Sequence, residues 1–136
     1  MRFEFLKHTA DVKFRAYGRT LEEAFSSAAE AMFSVVVDVT KVKPLVEKKI
    51  AVEGGDEKAL LYNFLEELLF LLDSDSFLLN SVRKIRISGK ELTATLAGDT
   101  ADDKYETHGD VKAVTYNDME IANENEKVMV QVVLDV

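Results

Sequence analysis

Between Asp56 and Asp73 the chain returns to a large apolar side chain at Leu60, Leu61, Phe64, Leu65, Leu68, Leu69 and Leu72. That is the rhythm of a helix with one broad apolar face, and Asp56 stands where an N-cap acceptor belongs. A face this wide is stable only when another part of the chain covers it. Its longest uninterrupted apolar run, residues 68–72, is far short of the roughly 20 residues of a membrane span. The cover is therefore expected from protein, not lipid.

A second helical stripe supplies part of it. Thr20 with Glu23 three residues later forms a capping box, and Leu21, Ala24, Phe25, Ala28, Met32, Val35 and Val36 follow at helical spacing. The rest of the pattern is strand. Val12, Phe14 and Ala16 alternate with Lys13, Arg15 and Tyr17 up to Gly18, and Ile50 with Val52 marks a short strand before Gly54 and Gly55. Ile85 and Ile87 are expected to pair with Leu92, Ala94 and Leu96 across Gly89-Lys90. A polar loop is expected from Gly98 to Asp110, then a second hairpin joining Val111–Ile121 to Val128–Leu134 across Asn123-Glu124-Asn125. The expected architecture is α+β, one domain over residues 1–136, with two helices packed on one face of a mostly antiparallel sheet.

Within 136 residues, 47% hydrophobic and 31% charged, a folded core is expected without disulfides, since cysteine is absent. Thiolate metal sites and cysteine nucleophiles are excluded on the same ground. Glu4, Lys7, His8 and Asp11 interrupt any secretory apolar segment near the start, so a cytoplasmic protein is the expectation. Acidic residues outnumber basic ones 25 to 17, a net charge of -8, with Asp99, Asp102, Asp103, Glu106 and Asp110 contributing a local excess. Nucleic-acid affinity rests on basic side chains displacing phosphate counterions, so tight autonomous RNA or DNA binding is not expected.

Catalytic patterns are sparse. No G-x-S-x-G elbow, G-x-G-x-x-G or Walker sequence occurs, and only His8 and His108 could serve as an imidazole base. Two oxygen-rich features remain. His8-Thr9-Ala10-Asp11 precedes the first alternating strand, and Asp135-Val136 ends the last one. If both terminal strands share a sheet, the carboxylates of Asp11, Asp135 and the Val136 α-carboxyl would gather as oxygen ligands for a hard cation, Ca²⁺ or Mg²⁺, and not for zinc. The alternative for the first feature is a turn in which Asp11 or Thr9 satisfies backbone N–H groups, and for the second an ordinary charge at a strand end. Lys112 and Tyr116, in Lys112-Ala113-Val114-Thr115-Tyr116, either flank a functional surface or belong to a plain strand.

Five segments together carry a family resemblance: HTADVKF at 8–14, GRTLEEAFSSAAEAMF at 18–33, NFLEELLFLLDSD at 63–75, KAVTYNDMEI at 112–121 and the terminal VVLDV. They resemble the archease family in identity and in order. The resemblance implies an α+β protein that is not itself an enzyme but assists an RtcB-type tRNA-splicing RNA ligase, promoting its GTP-dependent guanylylation and turnover. It also implies a divalent-metal site, calcium in the family, on Asp11, Asp135 and the Val136 carboxylate, with His8, Lys112 and Tyr116 on recurrent motif positions. A second implied role is chaperone-like modulation of a tRNA cytosine-5 methyltransferase. One departure stands out: Asn117 occupies the position after K-A-V-T-Y where the family usually has histidine. Asparagine keeps hydrogen-bonding capacity there but not proton transfer.

Overall fold

The computed structural model describes residues 2–7, 10–101 and 103–136. Chain order is β1 (Phe3–Leu6), β2 (Val12–Gly18), α1 (Leu21–Ser34), a single 3-10 turn (Val39–Lys41), β3 (Val46–Glu53), α2 (Glu57–Asp75), β4 (Phe77–Ser88), β5 (Glu91–Thr100), β6 (Ala113–Glu124) and β7 (Lys127–Asp135). The class is α+β with antiparallel pairing throughout, but the strands divide into two sheets. One has the order β1-β2-β7-β6 and the other β3-β5-β4. Each helix touches strands of both. The division explains why α1 is buried almost all round, from Ala24 to Phe33 with Glu30 alone half-buried.

Both helix starts follow their caps. The Glu23 N–H donates to Thr20 Oγ1 at 3.1 Å and the Ala59 N–H to Asp56 Oδ1 at 2.8 Å. Each such cap stabilises its helix by about 1 kcal/mol. At its other end α2 stops on Ser76, whose φ of 53° is left-handed. The helices meet through the stacked rings of Phe25 and Phe64, with centroids 6.0 Å apart, and Phe33 meets Phe77 at the head of β4 edge to face at 6.4 Å. All four rings are at most 1% exposed. Burying each is worth roughly 1.5–3 kcal/mol.

The β4–β5 hairpin turns at Gly89 and Lys90 as expected, with Ile85 opposite Ala94 and Ile87 opposite Leu92. Three features differ from the sequence expectation. β1 extends the first sheet by a fourth strand that the interrupted Phe3–Leu6 pattern does not announce. β5 runs on through Gly98 to Thr100, so the polar loop starts later than Gly98. The β6–β7 turn sits on Asn125 and Glu126, both with positive φ (45° and 65°), as a two-residue loop of the twisted hairpin type requires.

Strand β7 is buried from Val128 to Leu134. Its core side faces α1. Its other side is covered by the irregular stretch of β6 between Thr115 and Glu120, where the register slips. There the Gln131 Nε2 donates to the Asp118 carbonyl at 2.8 Å, Arg15 Nε donates to Gln131 Oε1 at 2.9 Å, and Lys13 lies 3.5 Å from the Asp118 carboxylate. No helix among the described residues is long and apolar enough to cross a membrane.

Candidate functional site

The β2–β7 register decides where the two ends of the chain stand. Val12 pairs with Leu134, Phe14 with Val132 and Ala16 with Val130, and Phe14, Ala16, Val132 and Leu134 are wholly buried on the core side. Side chains alternate along a strand. Asp135 therefore takes the opposite, outward side, while Asp11 sits in the bend just before β2. On its other flank Asp135 pairs with Ala113, and its carbonyl accepts the Lys112 N–H at 2.7 Å. Val136 is half-buried and packs against the core, which fixes the chain end at the same corner of the sheet.

Asp135, the Val136 terminus and the Lys112 backbone thus share the end of the sheet at which Val12, the residue after Asp11, begins β2. The first alternating strand, β2, is the neighbour of β7 as expected, but the N-terminal strand is β1, which shares the sheet and lies on the far side of β2 from β7. The donor set matches a hard cation in kind, since it offers oxygens and no sulfur. Among the described residues no three Asp, Glu or His side chains cluster around one point. Two side-chain carboxylates and a terminal one would need backbone carbonyls or water to reach the six to eight oxygens that calcium takes. His8 and Thr9 lie outside the described residues.

Tyr116 goes elsewhere. Its ring stacks on Tyr62 of α2, with centroids 4.2 Å apart and planes 7° from parallel, while remaining 53% exposed. Tyr62 in turn donates its hydroxyl to Glu66 Oε1 at 2.9 Å, and that hydrogen bond, then burial, raises the Tyr62 pKa. Tyr116 therefore belongs to the helix-facing side of the sheet, and Asp135 to the other. The side chains of Lys112 and Asn117 are exposed, and the Asn117 N–H donates to Thr115 Oγ1 at 3.3 Å.

His108 is the residue that sequence reasoning left unplaced. Together with Asp11, Lys7, Lys13 and Ser34 it lines a groove of about 500 Å³. Its loop is pinned to the end of α1: the His108 N–H donates to the Val36 carbonyl at 2.7 Å, and Thr107 bridges to Val37. Gly109 follows with φ 69°, and a Cβ there would come within 2.6 Å of the Val35 carbonyl, so a glycine is needed for the close approach. No local sequence pattern signals this contact, because it joins segments about 70 residues apart.

Asp99 also departs from the sequence reading. It is 3% exposed, not part of an acidic surface. Its Oδ1 accepts the Thr100 N–H at 2.8 Å, and its Oδ2 accepts the Tyr105 hydroxyl at 2.7 Å and Lys104 Nζ at 3.4 Å. The Tyr105 bond, followed by the Thr100 N–H, holds the carboxyl below its ordinary range. Tyr105 Oη meanwhile accepts the Lys43 N–H at 3.1 Å. The buried carboxylate thus anchors the loop that carries His108.

Comparison with known proteins agrees with this architecture. The profile of the archease protein family matches residues 3–136. The protein archease of Thermococcus gammatolerans is 46% identical over 125 residues, covering 88% of this chain and 87% of that one. The solution structure of Methanobacterium thermoautotrophicum protein 1598 superposes with a TM-score of 0.85 at 38% identity, covering 99% of each chain. A crystal structure from Thermotoga maritima, described as an archease and possible chaperone, shares the fold with a TM-score of 0.66 at 19% identity, over 96% of this chain and 94% of that one.

Proposed function

This chain belongs to the archease family, and from that premise we propose that it is a protein cofactor of an RtcB-type tRNA-splicing RNA ligase, promoting the ligase's GTP-dependent guanylylation and turnover without turning over substrate itself. The observation that supports the reading is the Val12–Leu134 pairing of β2 with β7, which brings Asp11, just before β2, and Asp135, at the end of β7, to one end of the sheet with the Val136 terminus. A bound divalent ion, calcium or magnesium, would supply positive charge able to attract phosphate oxygens. Asp11, Asp135 and the terminal carboxylate would hold it.

The chain's own part is positional. The Lys112 N–H fixes the Asp135 backbone from one side and β2 from the other, so the Asp135 carboxylate is held on a strand end, while Asp11 lies in the bend before β2. Lys112 places an exposed ammonium beside them, suited to a phosphate or to an acidic group on the partner. His108, brought in by its loop, adds an imidazole to the same groove as Asp11.

The deciding experiment is a guanylylation assay with purified ligase and GTP, with and without this protein. Acceleration at substoichiometric protein supports the reading. No acceleration overturns it, and would leave chaperone-like modulation of a tRNA cytosine-5 methyltransferase as the alternative to assay. A second arm compares tags: extending the C-terminus converts the Val136 carboxylate to an amide, whereas an N-terminal extension leaves it free. The C-terminally extended protein should fold normally, bind Ca²⁺ more weakly and activate less. Equal calcium affinity in both would remove the terminal carboxylate from the site.

A further inference from the structure

The β3-β5-β4 sheet turns one face to the helices and the other to solvent. On the helix side lie Ile50, Leu92, Ala94 and Leu96, and Lys48 bridges to Asp75 of α2. The registers set the outward side chains in two neighbouring rungs, Lys49–Thr95–Lys84 and Ala51–Thr93–Arg86. The irregularity between Val82 and Lys84 adds the exposed Arg83 to the same strand. These residues line one open depression of about 920 Å³.

Four cations thus share a small patch of a chain whose net charge is -8. Among the described residues none of the four has a carboxylate within ion-pair distance, the bridges going instead to Arg2, Lys13, Lys48 and Lys104. Glu47, Glu53 and Glu91 stand on the flanking rungs, at the ends of the face. Like charges on neighbouring strands repel. An anion laid across both rungs would relieve that repulsion.

The lining chooses among anions. Ammonium, guanidinium and threonine hydroxyl groups all donate hydrogen bonds, as phosphate oxygens require. A protein partner would need an aromatic or large apolar anchor, and none of the exposed ones, Phe5, Leu45, Phe70 and Tyr116, lines this depression. The same lack removes any platform for stacking bases. Lys84 and Arg86, two residues apart, are about 6.6 Å apart along the strand, and Lys49 is about 10 Å from Lys84 across β5, enough for a few consecutive phosphates.

We infer that the solvent face of the β3-β5-β4 sheet is a docking surface for the phosphate backbone of RNA and does not read its bases. The choice of RNA as the polynucleotide rests on the function proposed above. The surface is on the other sheet from Asp11 and Asp135, so both can be engaged at once.

The test is a titration of the isolated protein with a mixed-sequence 12-nucleotide single-stranded RNA, followed by amide chemical shifts and by fluorescence anisotropy. Four neutralised phosphates give a salt slope of about -2.8, so affinity should fall roughly 50-fold between 50 and 200 mM salt. Shifts should concentrate at Lys49, Lys84, Arg86, Thr93 and Thr95. Lys84→Glu with Arg86→Glu should at least halve the slope, while the charge-matched Arg19→Glu with Lys58→Glu should leave it near wild type. DNA of the same length should bind within a few-fold, since nothing on the face reads a 2′-hydroxyl. Shifts confined to other surfaces, equal losses in both double variants, a strong RNA preference, or equal competition by polyglutamate would each overturn the inference. No ligase is present, so such a failure would leave the ligase proposal standing.

Discussion

Two glycines offer the same chemical change with opposite expected outcomes. Gly98 lies in β5, the central strand of its sheet, paired with Val46 on one side and Leu79 on the other. A Cβ at this position would fall 2.0 Å from the Leu78 carbonyl oxygen and 2.8 and 2.9 Å from two ring carbons of Phe77. Ordinary contact needs about 3.5 Å. Relieving the clash means moving the β4 backbone by about 1.5 Å, which strands about 4.8 Å apart cannot do and remain hydrogen-bonded. Phe77 cannot retreat, because it is wholly buried against Phe33. Gly98→Ala should therefore sit at the upper end of overpacking costs, about 3 kcal/mol. At about 2.1 cal/mol/K per residue the unfolding entropy of 136 residues is about 0.29 kcal/mol/K, so Tm should fall by roughly 10 °C. A Cβ on Gly55, just before the α2 cap, meets nothing within 4 Å. Gly55→Ala should be neutral or gain about 0.4–1 kcal/mol by restricting the unfolded chain. Thermal and urea unfolding followed by circular dichroism decide between them. If the two variants shift Tm alike, or Gly98→Ala costs under about 1 kcal/mol, the steric argument is wrong, and with it the account of how β5 places Asp99 for Tyr105.

Other expectations follow from the site and its supports. Asp11→Asn and Asp135→Asn should each lower Ca²⁺ affinity roughly tenfold or more with the fold intact, through loss of a charged oxygen ligand, and His8→Ala should be milder; unchanged calorimetric titrations in both aspartate variants would dismiss the metal site. Because the Asp99 carboxyl titrates below its ordinary 3.8 in the fold, its contribution is present above that value and is lost as pH falls through the lower folded-state one. Tyr105→Phe removes the largest cause of the depression, so acid unfolding should begin at a higher pH, and superimposable acid limbs would refute the coupling. At physiological salt the isolated protein should bind intact tRNA only weakly, given its charge of -8; a sub-micromolar affinity by anisotropy would contradict this.

What the sequence determined alone is what depends on near neighbours. The α1 and α2 stripes, their Thr20 and Asp56 caps, the Gly89-Lys90 hairpin and the outward parity of Asp135 all follow from spacings within one element, because helix and strand periodicities are set by local backbone geometry. The resemblance of five segments to one family was legible for the same reason. Tertiary structure decided everything that joins distant segments. Nothing near Tyr105 in sequence shows that its hydroxyl also takes the Lys43 N–H and so ties the loop to the start of β3, nor near His108 that its loop clamps the end of α1. The pattern of helical faces called for a covering sheet but could not say that two would share the work, since alternation marks which side of a strand is apolar and not which strand lies beside it. Asp11 comes to the same end of the sheet as Asp135 only through the β2–β7 register, and Lys49, Lys84 and Arg86 form one face only through the registers of β3, β5 and β4. Those registers are fixed by the simultaneous burial of side chains far apart in the chain, a cooperative property of the whole core that no single window of sequence contains.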